Sequence, residues 1–234
     1  MGLPKIETPT YKLELPSTGQ EITYRPFLVK EQKNLLIAQN SESQKEIADA
    51  IAKIVSDCTF NGVDPYNAPI FDIEYIFLKI RVKSVGETAT LNVLCPDDNE
   101  TYAQITINLD ELDVQISDEH RRDIIINDNV TMHMTYPTVK EFYGLDKLDD
   151  VDSMFEMINR CVEKIDYGET TYNKVDITKK EMTDFIESLP SDGFEKIGKF
   201  FETMPKVLHV IEVENPKTKK TGEVIIQGLD SFFV

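Results

Sequence analysis

Cysteine, histidine and glycine are all scarce: the 234 residues include three cysteines, three histidines and ten glycines. A structural zinc site needs four soft or borderline ligands, usually as two close pairs, because each tight turn presents two of them. Cys58, Cys95 and Cys161 lie far apart and none begins a CxxC, while His120, His133 and His209 are equally scattered. Glycine is too sparse for a phosphate cradle, and neither GxGxxG nor GxxxxGK[ST] occurs. GxSxG and HExxH are missing as well, so no familiar hydrolase or metalloprotease constellation is present. "DKLDDVDSMFE" gathers acids without the glycine that a calcium loop requires.

Basic side chains are also in deficit, 25 against 42 acidic, for a formal net charge of −17. Such a surface repels phosphate backbones, and the three lysines of "NPKTKKTG" read as a solvated turn rather than a nucleic-acid stripe. No window approaches the ~18 to 20 consecutive apolar residues of a membrane span. Gly2 lacks the Ser or Thr that N-myristoylation needs at residue 6, where Ile6 stands. The expectation is a protein that meets neither nucleic acid nor membrane, takes no cofactor, metal or small-molecule substrate, and is cytosolic or assembled from the cytosol.

What is present is an ordinary globular composition, 41% hydrophobic and 29% charged. "LNVLCPDDNETYAQITI", residues 91–107, predicts a hairpin whose tip begins Cys-Pro, as the first knuckle of many zinc ribbons does. No second Cys or His follows in the turn, so Cys95 reads as a small half-buried residue ending a strand, ahead of the proline and Asx residues that turns favour.

Apolar periodicity organises the rest. "YKLELPSTGQEITYRPF" alternates on both sides of Ser17-Thr18-Gly19 and predicts a hairpin. "LVKEQKNLLIAQ" and "QKEIADAIAKIVSDC" predict two amphipathic helices joined by a short polar link. "IFDIEYIFLKIRVKSVG", opened by Pro69 in its first turn and ended by Gly86, is apolar around more than half its circumference and predicts a buried central helix. Residues 87–138 read mostly as strands; in "VTMHMTY" the alternation turns His133 away from the apolar face. "DDVDSMFEMINRCVEKIDYG" predicts a helix with Met154, Phe155, Ile158, Cys161, Val162 and Ile165 on one stripe. "DITKKEMTDFIESLP" opens with the Thr178/Glu181 capping-box pattern, "SDGFEKIGKFFETMP" is a second short helix, and "KVLHVIEVENPKTKKTGEVIIQGL" a second hairpin.

The sum is an α+β chain: helices packed on a sheet formed where the N- and C-terminal hairpins meet, with an inserted small antiparallel β module. The expected division is 1–86, the module at 87–138, and 139–234. Two function classes fit, a structural or assembly protein that binds another chain and an enzyme whose site carries no recognisable motif. The absence of any constellation favours the first. Phe194, Ile197, Phe200, Phe201 and Met204 exceed one narrow helical stripe, so Phe194, Phe200, Phe201 and Met204, with the late Phe232 and Phe233, are the candidate partner-binding residues.

The segments "YRPFLVKEQKNLLIA", "FDIEYIFLKIRVKSVGE" and "KFFETMPKVLHVIEVENPKTKKTGEVIIQGLDSFF" resemble the baseplate hub subunits and hub assembly proteins of T-even-like contractile-tailed bacteriophages. The resemblance is spread over most of the chain. It implies a non-enzymatic protein of tail baseplate assembly, found in the virion or in the host cytoplasm during assembly. Its partners would be other hub or tape-measure proteins, and it would either stay in the hub or leave as a chaperone. Some members of that family carry a cysteine pair at the position of "CPDDNE"; this chain has Cys95 alone, so no metal knuckle carries over.

Overall fold

The structure, a computed structural model, describes residues 6–41, 43–142, 145 and 150–228. In chain order its elements are strands β1 (Tyr11–Glu14) and β2 (Glu21–Tyr24), helices α1 (Val29–Asn40), α2 (Gln44–Cys58) and α3 (Ile70–Val85), and strands β3 (Thr88–Leu94), β4 (Tyr102–Asn108) and β5 (Val114–Gln115). There follow β6 (Asp123–Asn127), β7 (Val130–Met134), α4 (Asp150–Cys161), β8 (Val162–Tyr167), β9 (Thr170–Asn173), α5 (Lys179–Glu187), α6 (Ser191–Thr203), β10 (Lys206–Glu214) and β11 (Thr221–Gln227). The fold is α+β, as the periodicity indicates, and every strand pairing is antiparallel. The chain divides into two compact units: one takes the described residues through Gln115 and from Lys206 onward, the other Ile116–Pro205.

The first unit is built around α3. Pro69 is the residue just before the helix and Gly86, at φ 128°, ends it. A helix apolar all round must be covered on several sides. Ile73, Ile76, Phe77 and Ile80 pack against α2 and the first hairpin through Ile51, Ile54, Val55, Leu15, Ile22 and Tyr24. Leu78 and Val82 enter a second cluster with Leu91 of β3, Ile107 of β4, Val207 of β10 and Ile226 of β11. The central helix is therefore as predicted, and it explains a departure. β1 and β2 form a sheet of their own, and β10 lies between β11 and β5 in another. The terminal hairpins do not meet in one sheet, because each covers a different side of α3.

The second unit carries the sheet β6-β7-β8-β9. Its core joins Ile124, Met132 and Ile165 of the sheet to Ile158 of α4, Met182 and Ile186 of α5, and Ile197 and Phe200 of α6. The strands read as one module at 87–138 are thus shared, β3 to β5 in the first unit and β6 and β7 in the second. A further departure lies at residues 162–167. The predicted helix stops at Cys161, and Val162 and Ile165 belong to β8. The register between β7 and β8 shifts at His133/Met134, which partner Lys164 and Val162 and leave Glu163 as the extra residue. That irregularity turns Val162 and Ile165, three apart, to the same buried side, a spacing that imitates a helix.

Candidate functional site

Two corners with many polar side-chain contacts are hairpin tips, and they share one construction with the first hairpin. Leu15, Cys95 and Asn215 are each buried, each is followed by proline, and each carbonyl accepts from the amide four residues on. Those amides belong to Gly19, Asn99 and Lys219, all in the left-handed region at φ 69°, 54° and 64°. Proline sets the entry to the turn and the left-handed residue closes it. Cys-Pro is therefore one instance of a recurrent turn. Lys219 is the only one of the three that is neither Gly nor Asn, and an ordinary side chain in this region costs about 1–2 kcal/mol. Lys219→Gly is expected to stabilise by about 1 kcal/mol and raise Tm by about 2–4 °C, measured by thermal melting; its exposed ion pair to Glu214 contributes little against this.

The second and third tips clasp each other. The Asn215 amide nitrogen donates to Asp97 Oδ1 at 2.7 Å and Asp98 Oδ2 at 3.0 Å, and Thr218 Oγ1 donates to Asp97 Oδ2 at 2.5 Å. The side-chain oxygen of Asn215, Oδ1, accepts from the backbone amides of Lys217 and Thr218 at 2.8 and 3.1 Å. A Cβ added at Gly222 would stand 2.6 Å from the Pro96 ring, so glycine is required where the hairpins touch. The Thr218 and Asn215 side chains hold the Asp97 carboxyl below the usual carboxylate range, and the Thr101 hydroxyl and amide do the same for Asp98. Cys95 packs on Ala103 and Val213, fully buried rather than half-buried, and burial followed by the neighbouring aspartates pushes its thiol up. Among the described residues no group of His, Cys, Asp and Glu is arranged to hold a metal ion. The acids of this corner serve as acceptors for the facing turn.

The first tip is held in the same manner by a buried acid. Ser17 donates from its amide, at 3.0 Å, and from its hydroxyl to the carboxylate of Asp72 on α3. Burial raises the Asp72 pKa against the lowering effect of those bonds.

In the second unit the histidines act as ties. His133 faces away from the core and lies 2.7 Å from Asp123 on one side and 2.7 Å from Asp166 on the other, linking β6, β7 and β8. His120 bridges Thr203 at 3.0 Å and Tyr136 at 3.1 Å and lies against Phe200; burial, then Arg122 and Arg121, lowers its pKa.

The candidate partner residues of α6 are gathered into the unit's own apolar cluster. Phe200 is 2% exposed and meets Phe201 edge-on at 5.0 Å, while Phe194 stacks on Phe155 at 5.6 Å. Phe194, Phe201 and Met204 are half-buried and keep some surface; Phe232 and Phe233 lie outside the described residues. A feature not foreseen is an open apolar groove of about 520 Å³ where the β8–β9 hairpin passes α5, lined by Ile165, Tyr167, Tyr172, Ile177, Met182 and Phe185. The turn pair Gly168-Glu169 in "DYGETTY" is the signal that marks this hairpin, with Gly168 at φ 58°.

No helix among the described residues is long and apolar enough to cross a membrane. The fold is thus that of an α+β protein whose polar constellations tie its own turns and strands together. Residues 8–234 match the family described as T4 bacteriophage base plate protein, and the chain belongs to that family. No curated protein and no solved structure matches it.

Proposed function

We propose that the chain acts in the phage tail baseplate without catalysis, as a hub subunit that binds hub or tape-measure proteins. The observation that carries the reading is membership of the base plate family across residues 8–234. The internal use of Asp97, Asp98, His120 and His133 supports it, because each is bonded to the protein's own turns and strands. The remaining surface of Phe194, Phe201 and Met204, with Phe232 and Phe233, is the proposed contact of α6 and the following chain with a partner. The net charge of −17 favours a second reading, a soluble chaperone that masks a hub protein and leaves, since mutual repulsion discourages packing of identical copies. Mass spectrometry of purified intact particles tests the two. A hub subunit is expected at a stoichiometry comparable with other baseplate proteins. Abundance in infected cells with absence from particles would replace the hub reading with the chaperone.

A further inference from the structure

The two edges of the second unit's sheet are treated differently. β6 carries a register shift between Ile125 and Asn127, and Lys196 of α6 donates to the carbonyls of Ile125 and Ile126 at 3.0 Å each. An irregular strand and a lysine on the edge are two of the devices by which proteins block unwanted strand pairing. At the other edge, β9 is regularly paired along its length, pairs only with β8 among the described residues, and has all four of its residues exposed. It contains neither proline nor lysine, and Lys174, which follows it, is directed to the carbonyls of Asn159 and Arg160. In a hairpin with a two-residue turn the closing pair, Tyr167 with Thr170, is the hydrogen-bonded one, so Thr171 and Asn173 point their N–H groups to the unpaired side.

The groove described above lies beside this edge. Tyr172 pairs with the buried Ile165, so its side chain is on the groove face, which it lines together with Phe185 of α5. The charged residues of the lining, Asp176 and Glu181, are both acidic. The site thus combines a row of backbone donors and acceptors, an apolar slot and negative charge. We propose that β9 is a strand-addition site: an extended, basic segment of another baseplate protein pairs with Thr171 and Asn173 and sets an apolar side chain into the groove between Tyr172 and Phe185. Strand addition draws its affinity from backbone bonds and its selectivity from pockets for alternate side chains, and both are offered here. A second copy of this chain, carrying the same −17 charge, is the poorer electrostatic match. The proposal rests on the reading of the chain as a partner-binding baseplate protein.

The test uses the tagged full-length chain isolated from infected cells with the baseplate proteins bound to it. Thr171→Pro removes an outward N–H at a position where an edge strand tolerates proline; Thr171→Ala, which keeps the N–H, is its control. Thr171→Pro is expected to lower recovery of baseplate proteins by about tenfold or more with melting unchanged, and Thr171→Ala to retain them. Hydrogen exchange of the unmodified chain is expected to slow at β9 in the complex relative to the free protein, a result that stands even if the proline variant folds poorly. Full recovery with Thr171→Pro and unchanged exchange at β9 would overturn the site while leaving the baseplate reading intact. Absence of any baseplate protein from the wild-type preparation would instead remove that wider reading. Light scattering that shows a dimer dissolved by Thr171→Pro would overturn the partner named, because the edge would belong to a second copy.

Discussion

Phe77→Ala is expected to cost about 3–5 kcal/mol of folding stability, the range for deleting a buried aromatic ring where neighbours cannot close the cavity. Phe77 is 1% exposed and packs among Ile73, Ile76 and Ile80 of its own helix, Ile51, Ile54 and Val55 of α2, and Ile22 and Tyr24 of β2. Those neighbours come from different elements that are also fixed elsewhere, so no single shift fills the space. Denaturation by urea, read as a fall in midpoint at unchanged slope, measures the loss. A neutral result would mean that this side of α3 is covered by a partner and not by the protein's own core.

Glu31→Ala is expected to be of the same order, about 3–5 kcal/mol, because it strands a charge. Arg25 and Glu31 are 8% and 2% exposed, and Arg25 Nη2 lies 2.9 Å from Glu31 Oε1. The other carboxylate oxygen accepts from the Leu28 amide at 2.8 Å at the start of α1. Removal of Glu31 leaves the guanidinium buried without its counter-ion and the helix start without its acceptor. Glu31→Gln, which keeps an acceptor, is expected to lose less. Burial raises the Glu31 pKa, but the bonds from Arg25 and Leu28 outweigh it and the net value lies below that of an ordinary glutamate. A depressed carboxylate stabilises the fold above its unfolded pKa of about 4.3 and ceases to do so as pH falls through the lower folded value. The gap between wild type and Glu31→Ala should therefore be full at neutral pH and shrink on acidification below about pH 4. A gap that is constant with pH would show that lost packing, and not the ion pair, is responsible.

The turns were legible because they are local. Pro16, Pro96 and Pro216, each followed three residues later by Gly19, Asn99 and Lys219, declare a corner without reference to anything distant. The same holds for the Thr178/Glu181 cap, realised with Glu181 Oε2 accepting from the Thr178 amide at 2.8 Å. Cys95 shows the limit. Its loop was readable as a hairpin tip, but the residue that binds the acids of that tip, Asn215, lies 118 residues from Asp97. No spacing rule connects the two. The candidate face on α6 was readable as apolar and not as core, since hydrophobicity alone does not say whether a neighbour or a partner covers a phenylalanine.

The sequence by itself determined the α+β class, the buried character of α3, the β1–β2, β3–β4 and β10–β11 hairpins and most helix boundaries, because these follow from period, proline, glycine and capping residues within a few positions of one another. Tertiary structure alone decided that the terminal hairpins take separate sides of α3, since an all-round apolar helix does not specify which element covers which side. It also decided that Val162 and Ile165 lie on a strand. Their spacing of three satisfies a helix and an irregular strand equally, and only the pairing of β8 with β7 and β9 distinguishes the two. The position of β9 at the edge of its sheet, among the described residues, belongs to the same class of fact: a strand is an edge only by virtue of what does not pair with it.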